Sequence, residues 1–314
     1  MVMMRLSVLI CCYNQDKYIR QTIDSIIGQV NEDKDEIIIC DDASSDSTHL
    51  ILNEYKNLHP NLLKVIIRPK NLGLINNYYD GITRAVGEYI MVCAGDDYWL
   101  ENKVKTQIEY MNMNPSCGLC YGAAKKINES GLIIGKLYGK NNNTFETLIK
   151  NDHIVAPTMC FRKSVLERYI REVNPLSHTW LMEDYPFILW CSKFSRIDYI
   201  DNELAAYRYC ITSSCRPTSL YKKIEFIESV KNVKEYFACK CDRCLQSEII
   251  SNYIERLLRI NNGSEEYKAL CKMKIEMNVQ NRFYRAIYKA RLNNKCIDYI
   301  LRAVNRVTLL LSHT

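Results

Sequence analysis

Hydrophobic positions fall into two patterns along this chain. Up to about residue 215, short apolar runs rich in β-branched residues alternate with amphipathic stretches. Leu6–Cys12, Glu36–Cys40, Leu63–Ile67 and Tyr89–Cys93 read as strands. Between the first two, Ile19, Ile23, Ile26/Ile27 and Val30 mark a helix face. Leu50/Ile51, Tyr55 and Leu58 mark the next, which opens after the capping-rich cluster Ser44–Thr48. A third helix is expected from Asn76 to Val86. Apolar strands in strict alternation with helices predict an α/β fold whose mostly parallel sheet is covered on both faces. The second pattern is helical: Ile249/Ile250, Tyr253/Ile254 and Leu257/Leu258 recur at that spacing, and Leu220–Phe237 does so more loosely. All seven prolines lie at or before Pro217, and ten of the eleven glycines at or before Gly139. The expected division is therefore an α/β domain over residues 1–216 and a helical region over 217–314.

Composition narrows the class. With 47% hydrophobic and 25% charged residues in 314, the chain reads as a soluble globular protein of one or two domains. No apolar run reaches the ~18–20 residues of a membrane span. Met1–Cys12 lacks the core and cleavage site of a signal peptide and reads as a strand. The formal charge of +6 is local. Residues 281–314 hold seven Lys/Arg against Asp298, which leaves 35 bases and 35 acids before them. A neutral body argues against nucleic acid as a partner. The tail also carries Ile297, Ile300/Leu301, Val304 and Val307 at helical spacing. It is open to two readings, peripheral contact with an anionic membrane or a packed helix with a solvated basic face. Fifteen cysteines are an odd number, and several fall inside strand-like runs, so reduced thiols in a cytoplasm are expected. Cys239, Cys241 and Cys244 match no standard zinc spacing and lack a nearby fourth ligand.

Ligands of such sheets bind beyond the carboxyl ends of the strands. There the chain places Cys11-Cys12-Tyr13-Asn14, then Asp41-Asp42 followed by Ala43-Ser44-Ser45-Asp46, then Gly95-Asp96-Asp97. One acidic pair could be a solvated turn or an Asx cap. Two pairs beyond buried strands of one sheet call for a hard cation such as Mg²⁺ or Mn²⁺. No Gly-x-Gly-x-x-Gly follows the first strand and no P-loop occurs, so a bound diphosphate would need a metal to carry its charge.

The ordered set Ser7–Asn14, Ile37–Asp46, Asn71–Gly73, Gly87–Ile90, Gly95–Asp97, Arg162–Leu166 and Met182–Pro186 resembles the inverting family-2 glycosyltransferases of the GT-A fold, over about residues 5–215. Cys11 and Cys12 stand where that family has small or hydroxyl residues, and Ala43 where glycine is common. The resemblance implies a GT-A, Rossmann-like domain that moves a sugar from a nucleoside-diphosphate donor, a UDP-sugar in first place. The acceptor would be a saccharide or lipid-linked hydroxyl, in cell-surface polysaccharide synthesis, with peripheral placement at the cytoplasmic membrane face open. It implies that Tyr13 stacks on the base, Asp42 accepts its imide N–H, Asp96 holds the ribose and Asp97 binds the metal. Cys11, Asn14 and Asn71 complete the nucleotide-binding set. Asp184 is implied as the general base, with Glu183 orienting its surroundings, although Glu183-Asp184-Tyr185-Pro186 also suits a helix start. Lone His153 and His178 read as loop residues. A non-catalytic sugar-nucleotide-binding module, or a sugar nucleotidyltransferase, is the alternative.

Overall fold

The computed structural model describes residues 5–141, 143–151, 153–210, 219–238, 242–260 and 265–279, together with 282, 285, 286, 288 and 289. The chain forms two compact units, residues 1–211 and 212–314. The boundary falls five residues before the one expected from the proline and glycine distribution.

The first unit opens as the hydrophobic pattern predicts. Strand β1 (Leu6–Cys12), helix α1 (Ile19–Ile27), β2 (Asp35–Asp41), α2 (Thr48–Leu58), β3 (Leu63–Ile67), α3 (Leu74–Ile82) and β4 (Tyr89–Ala94) follow in strict alternation. Next come β5 (Tyr98–Trp99), α4 (Lys103–Met113), β6 (Cys117–Ile127), β7 (Ile133–Leu137) and α5 (Phe145–Lys150). The unit closes with β8 (Cys160–Arg162), α6 (Lys163–Val173), α7 (Asp184–Phe194) and β9 (Arg196–Arg208). One sheet runs in the order β3-β2-β1-β4-β8-β6-β9-β5, with β7 added beside β6. β1 to β4 are mutually parallel, β8 is antiparallel to both neighbours, and β6 and β9 again run parallel. β1 and β2 are buried almost throughout because helices cover both faces, which is why neither shows polar alternation. On one face Val8, Ile10, Ile37 and Ile39 pack with Ile19, Ile23 and Ile26 of α1 and with Leu52 of α2.

In the second unit α8 (Leu220–Phe237), α9 (Arg243–Arg259) and α10 (Glu265–Asn278) enclose a small core. Ile224, Ile227, Tyr253, Ile254, Leu257, Tyr267, Cys271 and Ile275 build it. The Asp242 side chain caps α9 by accepting from the Leu245 N–H at 2.9 Å. Cys239, Cys241, the side chain of Cys244 and most of the basic tail lie outside the described residues. Among the described residues no helix is long and apolar enough to cross a membrane. The ten described cysteines are all free thiols.

Candidate active site

Three strand ends are stitched together at the carboxyl edge of the parallel half-sheet. The Gly95 N–H donates to the Cys11 carbonyl at 3.0 Å, and the Asp42 N–H to the Cys12 carbonyl, also at 3.0 Å. Gly95 is required by this closeness, since a Cβ there would lie 2.7 Å from the Cβ of Cys12 and 2.2 Å from Gln15 Oε1. Tyr13 projects from β1 with 49% of its surface exposed, an open aromatic face. Asn14 next to it turns to the protein instead. Its Oδ1 accepts from the Ser45 N–H at 2.8 Å, and its own N–H donates to Ser44 Oγ. Asn14 therefore braces the loop after β2 and presents Tyr13.

Asp42 is buried and held on both oxygens. Oδ1 accepts from the Leu72 N–H at 2.7 Å and Oδ2 from the Gly73 N–H at 2.9 Å, while Asn71 Nδ2 donates to the Asp42 carbonyl. Gly73 adopts φ +80°, which explains a glycine at the point where its N–H must meet the carboxylate. Asp41 beside it is fully buried and points elsewhere, accepting from the Ser44 hydroxyl. Ala43 sits at φ +62°, a left-handed conformation that costs an alanine about 1 kcal/mol or more. Ala43→Gly is expected to raise the unfolding free energy by roughly 0.5–1 kcal/mol, the strain relieved less the added chain entropy, and to leave ligand binding unchanged. A urea titration measures this.

The two carboxylates after β4 differ sharply. Asp97 is 2% exposed, and its Oδ1 accepts from the backbone N–H of Arg208 at 2.7 Å. Asp96 is only partly buried, and Cys210 Sγ donates to its Oδ2 at 3.7 Å. Burial and Asp96 push the Cys210 thiol up to about 11, so it stays neutral. Asp97 thus gives one carboxylate oxygen to the fold, and Asp96 is the more open oxygen donor of the two. Among the described residues no three His, Cys, Asp or Glu side chains converge on one point. The donor set fits a hard cation only in the manner of one carboxylate completed by substrate oxygens.

Arg208 escaped the sequence reading. It is buried at the end of β9, where Nε donates to the Asp96 carbonyl at 2.7 Å and Nη2 to Gln21 Oε1 at 2.8 Å. Nη1 donates to the Asn128 and Glu129 carbonyls, each at 3.1 Å, and the guanidinium lies over the Tyr18 ring. A cation saturated by carbonyls holds the Gly95–Asp97 turn rigid. The only sequence cue was a lone arginine at a strand end, 112 positions from Asp96.

Opposite the strand ends, α7 begins at Asp184, so the helix-start pattern and the candidate base coincide. Asp184 Oδ1 accepts from the Tyr185 N–H at 2.7 Å. Glu183 is pushed up to about 8, by burial first and then by the neighbouring charge of Asp184; burial also raises Asp184. Tyr78 of α3, a second residue missed in the sequence, lies within electrostatic reach of both sides. It is buried, and its hydroxyl is raised by burial and then by Glu183, Cys11 and Asp184. Cys11 is raised by burial, Cys40 and Glu183. Cys11, Tyr78, Glu183 and Asp184 thus share one electrostatic environment. His153 and His178 are in structural contacts. His153 Nε2 meets Asn143 Oδ1 at 3.1 Å, and His178 stacks on Trp180 at 4.0 Å, with Nε2 on the Val173 carbonyl.

Comparison with known proteins agrees with this layout. TarS of S. aureus in complex with UDP superposes with a TM-score of 0.61 at 18% identity, covering 94% of this chain and 83% of that one. The mannosyltransferase PcManGT of Pyrobaculum calidifontis, in complex with GDP-Man and Mn²⁺, gives 0.53 at 15% identity, covering 92% and 84%. Both likenesses establish the GT-A fold. An uncharacterized protein of Mycobacterium tuberculosis is 38% identical over 40% of this chain, a segment that spans 37% of that relative's length. The Escherichia coli UDP-Glc:alpha-D-GlcNAc-diphosphoundecaprenol beta-1,3-glucosyltransferase WfgD is 26% identical over 70% of this chain and 82% of its own. Residues 7–170, just over half of the chain and inclusive of every strand-end residue described above from β1 to β4, match glycosyl transferase family 2, and the protein belongs to that family of glycosyltransferases.

Proposed function

We propose that the protein transfers a sugar, with inversion, from a UDP-sugar to a hydroxyl of a saccharide or lipid-linked acceptor in the synthesis of a surface polysaccharide. One observation carries the reading: an exposed aromatic and a pinned carboxylate, Tyr13 and Asp42, share a strand edge with Cys11, while the raised Glu183–Asp184 pair lies within electrostatic reach of that same Cys11. Asp42 keeps a lone pair on each oxygen beyond those used by Leu72 and Gly73. It can therefore accept the imide N–H of uracil while Tyr13 stacks on the ring. Cys11 and Asn71 border the base, and Asn14 sets the loop. Asp184 takes the proton of the acceptor hydroxyl, and Glu183 orients the acceptor side. Asp96 is assigned to the divalent cation, Mg²⁺ or Mn²⁺, and Asp97 to holding the turn. When bound, that cation would offset the charge of the leaving diphosphate.

The names of relatives support the donor, acceptor and cation of this reading. WfgD uses UDP-Glc and a diphosphoundecaprenol acceptor, TuaG of Bacillus subtilis is named for teichuronic acid biosynthesis, TarS is seen with UDP and UDP-GlcNAc, and PcManGT is seen with Mn²⁺. The test is acceptor-dependent release of UDP from a panel of UDP-sugars and GDP-mannose, with Mn²⁺ and with EDTA. Release from one UDP-sugar that EDTA abolishes is expected. Turnover of the GDP-sugar alone would overturn the uracil assignment, and full activity in EDTA would overturn the metal.

A further inference from the structure

Leu132, Ile133 and Ile134, at the start of β7, are 66, 63 and 51% exposed, and Tyr138 just beyond the strand is 63% exposed. Among the described residues no other two adjacent large hydrophobic side chains are both exposed. Among the described residues β7 pairs only with β6, and a run of three open apolar residues at such a strand edge is an aggregation hazard unless something covers it. Successive side chains of a strand point to opposite faces, so exposure of both Ile133 and Ile134 leaves apolar surface on both sides of the hairpin. A flat protein partner would cover one face, whereas insertion into a lipid interface covers both.

The surroundings are cationic and aromatic. Lys125 and Lys136 share the single carboxylate of Glu203, at 3.7 and 2.7 Å. Lys126 lies 3.9 Å from the centre of the half-exposed Tyr209 ring, and Lys136 lies 4.7 Å from that of Tyr138. Residues 125–140 carry four lysines, Lys125, Lys126, Lys136 and Lys140, and one acid, Glu129, while Glu203 of β9 pairs with two of the lysines. Lysine and tyrosine flanking an apolar tip are interfacial anchors. Pairing of β7 with a second copy would instead bring like-charged edge lysines together.

We propose that the β6–β7 hairpin docks on an anionic phospholipid bilayer, with Leu132–Ile134 inserted at the headgroup boundary and Lys125, Lys126, Lys136 and Lys140 on the lipid phosphates. This goes beyond the transfer reaction and does not depend on it. Its geometric consequence does concern the site. Arg208 ties the hairpin turn, through the Asn128 and Glu129 carbonyls, to the Asp96 carbonyl, so docking sets the donor end of the cleft beside the membrane.

The full-length protein is to be floated with phosphatidylcholine vesicles, with and without phosphatidylglycerol, and its oligomeric state read by light scattering. Binding is expected only with phosphatidylglycerol and should weaken with salt. Leu132→Ser/Ile133→Ser/Ile134→Ser should lower the partition coefficient by about tenfold or more, with wild-type far-UV circular dichroism and a cooperative thermal transition as evidence of folding. Lys125→Gln/Lys126→Gln/Lys136→Gln should remove most of the salt dependence. In Ile133→Trp, fluorescence beyond that of the wild type should be quenched by brominated acyl chains. Four results would each overturn the proposal: wild-type protein that fails to bind, a serine variant that binds as tightly, added fluorescence in Ile133→Trp that stays unquenched, or a wild-type dimer that the serine variant dissociates.

Discussion

Asp184→Asn is expected to bind donor as the wild type does and to lose transfer by about 10²–10⁴-fold, in kcat rather than in donor KM. The substitution keeps size and hydrogen bonding and removes only basicity. It leaves Tyr13, Asp42 and Asp96 untouched, because α7 and the strand ends are separate elements. The pH profile sharpens the test. Burial raises both carboxyls, and Glu183 reaches about 8, so the free enzyme holds protons here that ordinary carboxyls have lost. A base must be ionised to work, so the acid limb of kcat/KM should lie above the ordinary carboxylate range, as the raised Asp184 requires. Glu183→Gln replaces a carboxyl that is protonated below about 8, and should retain activity and leave that limb in place. Stability has the opposite sense. The unfolded glutamate titrates near 4.5 and the folded one near 8, so the folded state binds more protons between them and loses stability as pH rises through that window. An inactive Glu183→Gln beside an active Asp184→Asn would transfer the base role to Glu183.

The second large effect separates the two carboxylates after β4. Asp96→Asn should abolish Mn²⁺ binding, followed by loss of the bound-ion signature in electron paramagnetic resonance with UDP present. Turnover should fall by about 10²–10³-fold, the equivalent of the several kcal/mol that a Lewis acid contributes. Asp97→Asn should keep Mn²⁺ and cost folding stability instead, about 1–3 kcal/mol, because a buried acceptor on the Arg208 N–H is weakened. The reverse pattern, with Mn²⁺ lost in Asp97→Asn and kept in Asp96→Asn, would restore the assignment that the motif alone suggested.

That contrast between two neighbouring carboxylates shows where a linear reading stops. β1 and β3 run over the residues that apolar runs marked, and β2 and β4 within a residue of them. β1, β2 and β4 are buried almost throughout, while β3 is a partly exposed edge strand that its β-branched run still marked. Tyr13, Asp42 and Asp96 were legible as candidates because they directly follow apolar strands, whereas Glu183–Asp184, at the start of α7, stood out through the family resemblance. Ala43 was visible as a departure from a glycine, and its positive φ supplies the reason.

Which of two adjacent aspartates faces inward was beyond the sequence. Asp96 and Asp97 are chemically identical, and what distinguishes them is a backbone N–H 111 positions away at the end of β9. The same holds for Arg208, Tyr78 and the β6–β7 hairpin, each given its role by neighbours distant in the chain. Local patterning determined the strands, helices and strand-end chemistry of this protein, since those depend on periodicity and on groups adjacent in sequence. Tertiary packing alone decided which carboxylates are buried and bonded within the fold and which stay open, because burial and hydrogen-bond satisfaction are properties of the assembled sheet.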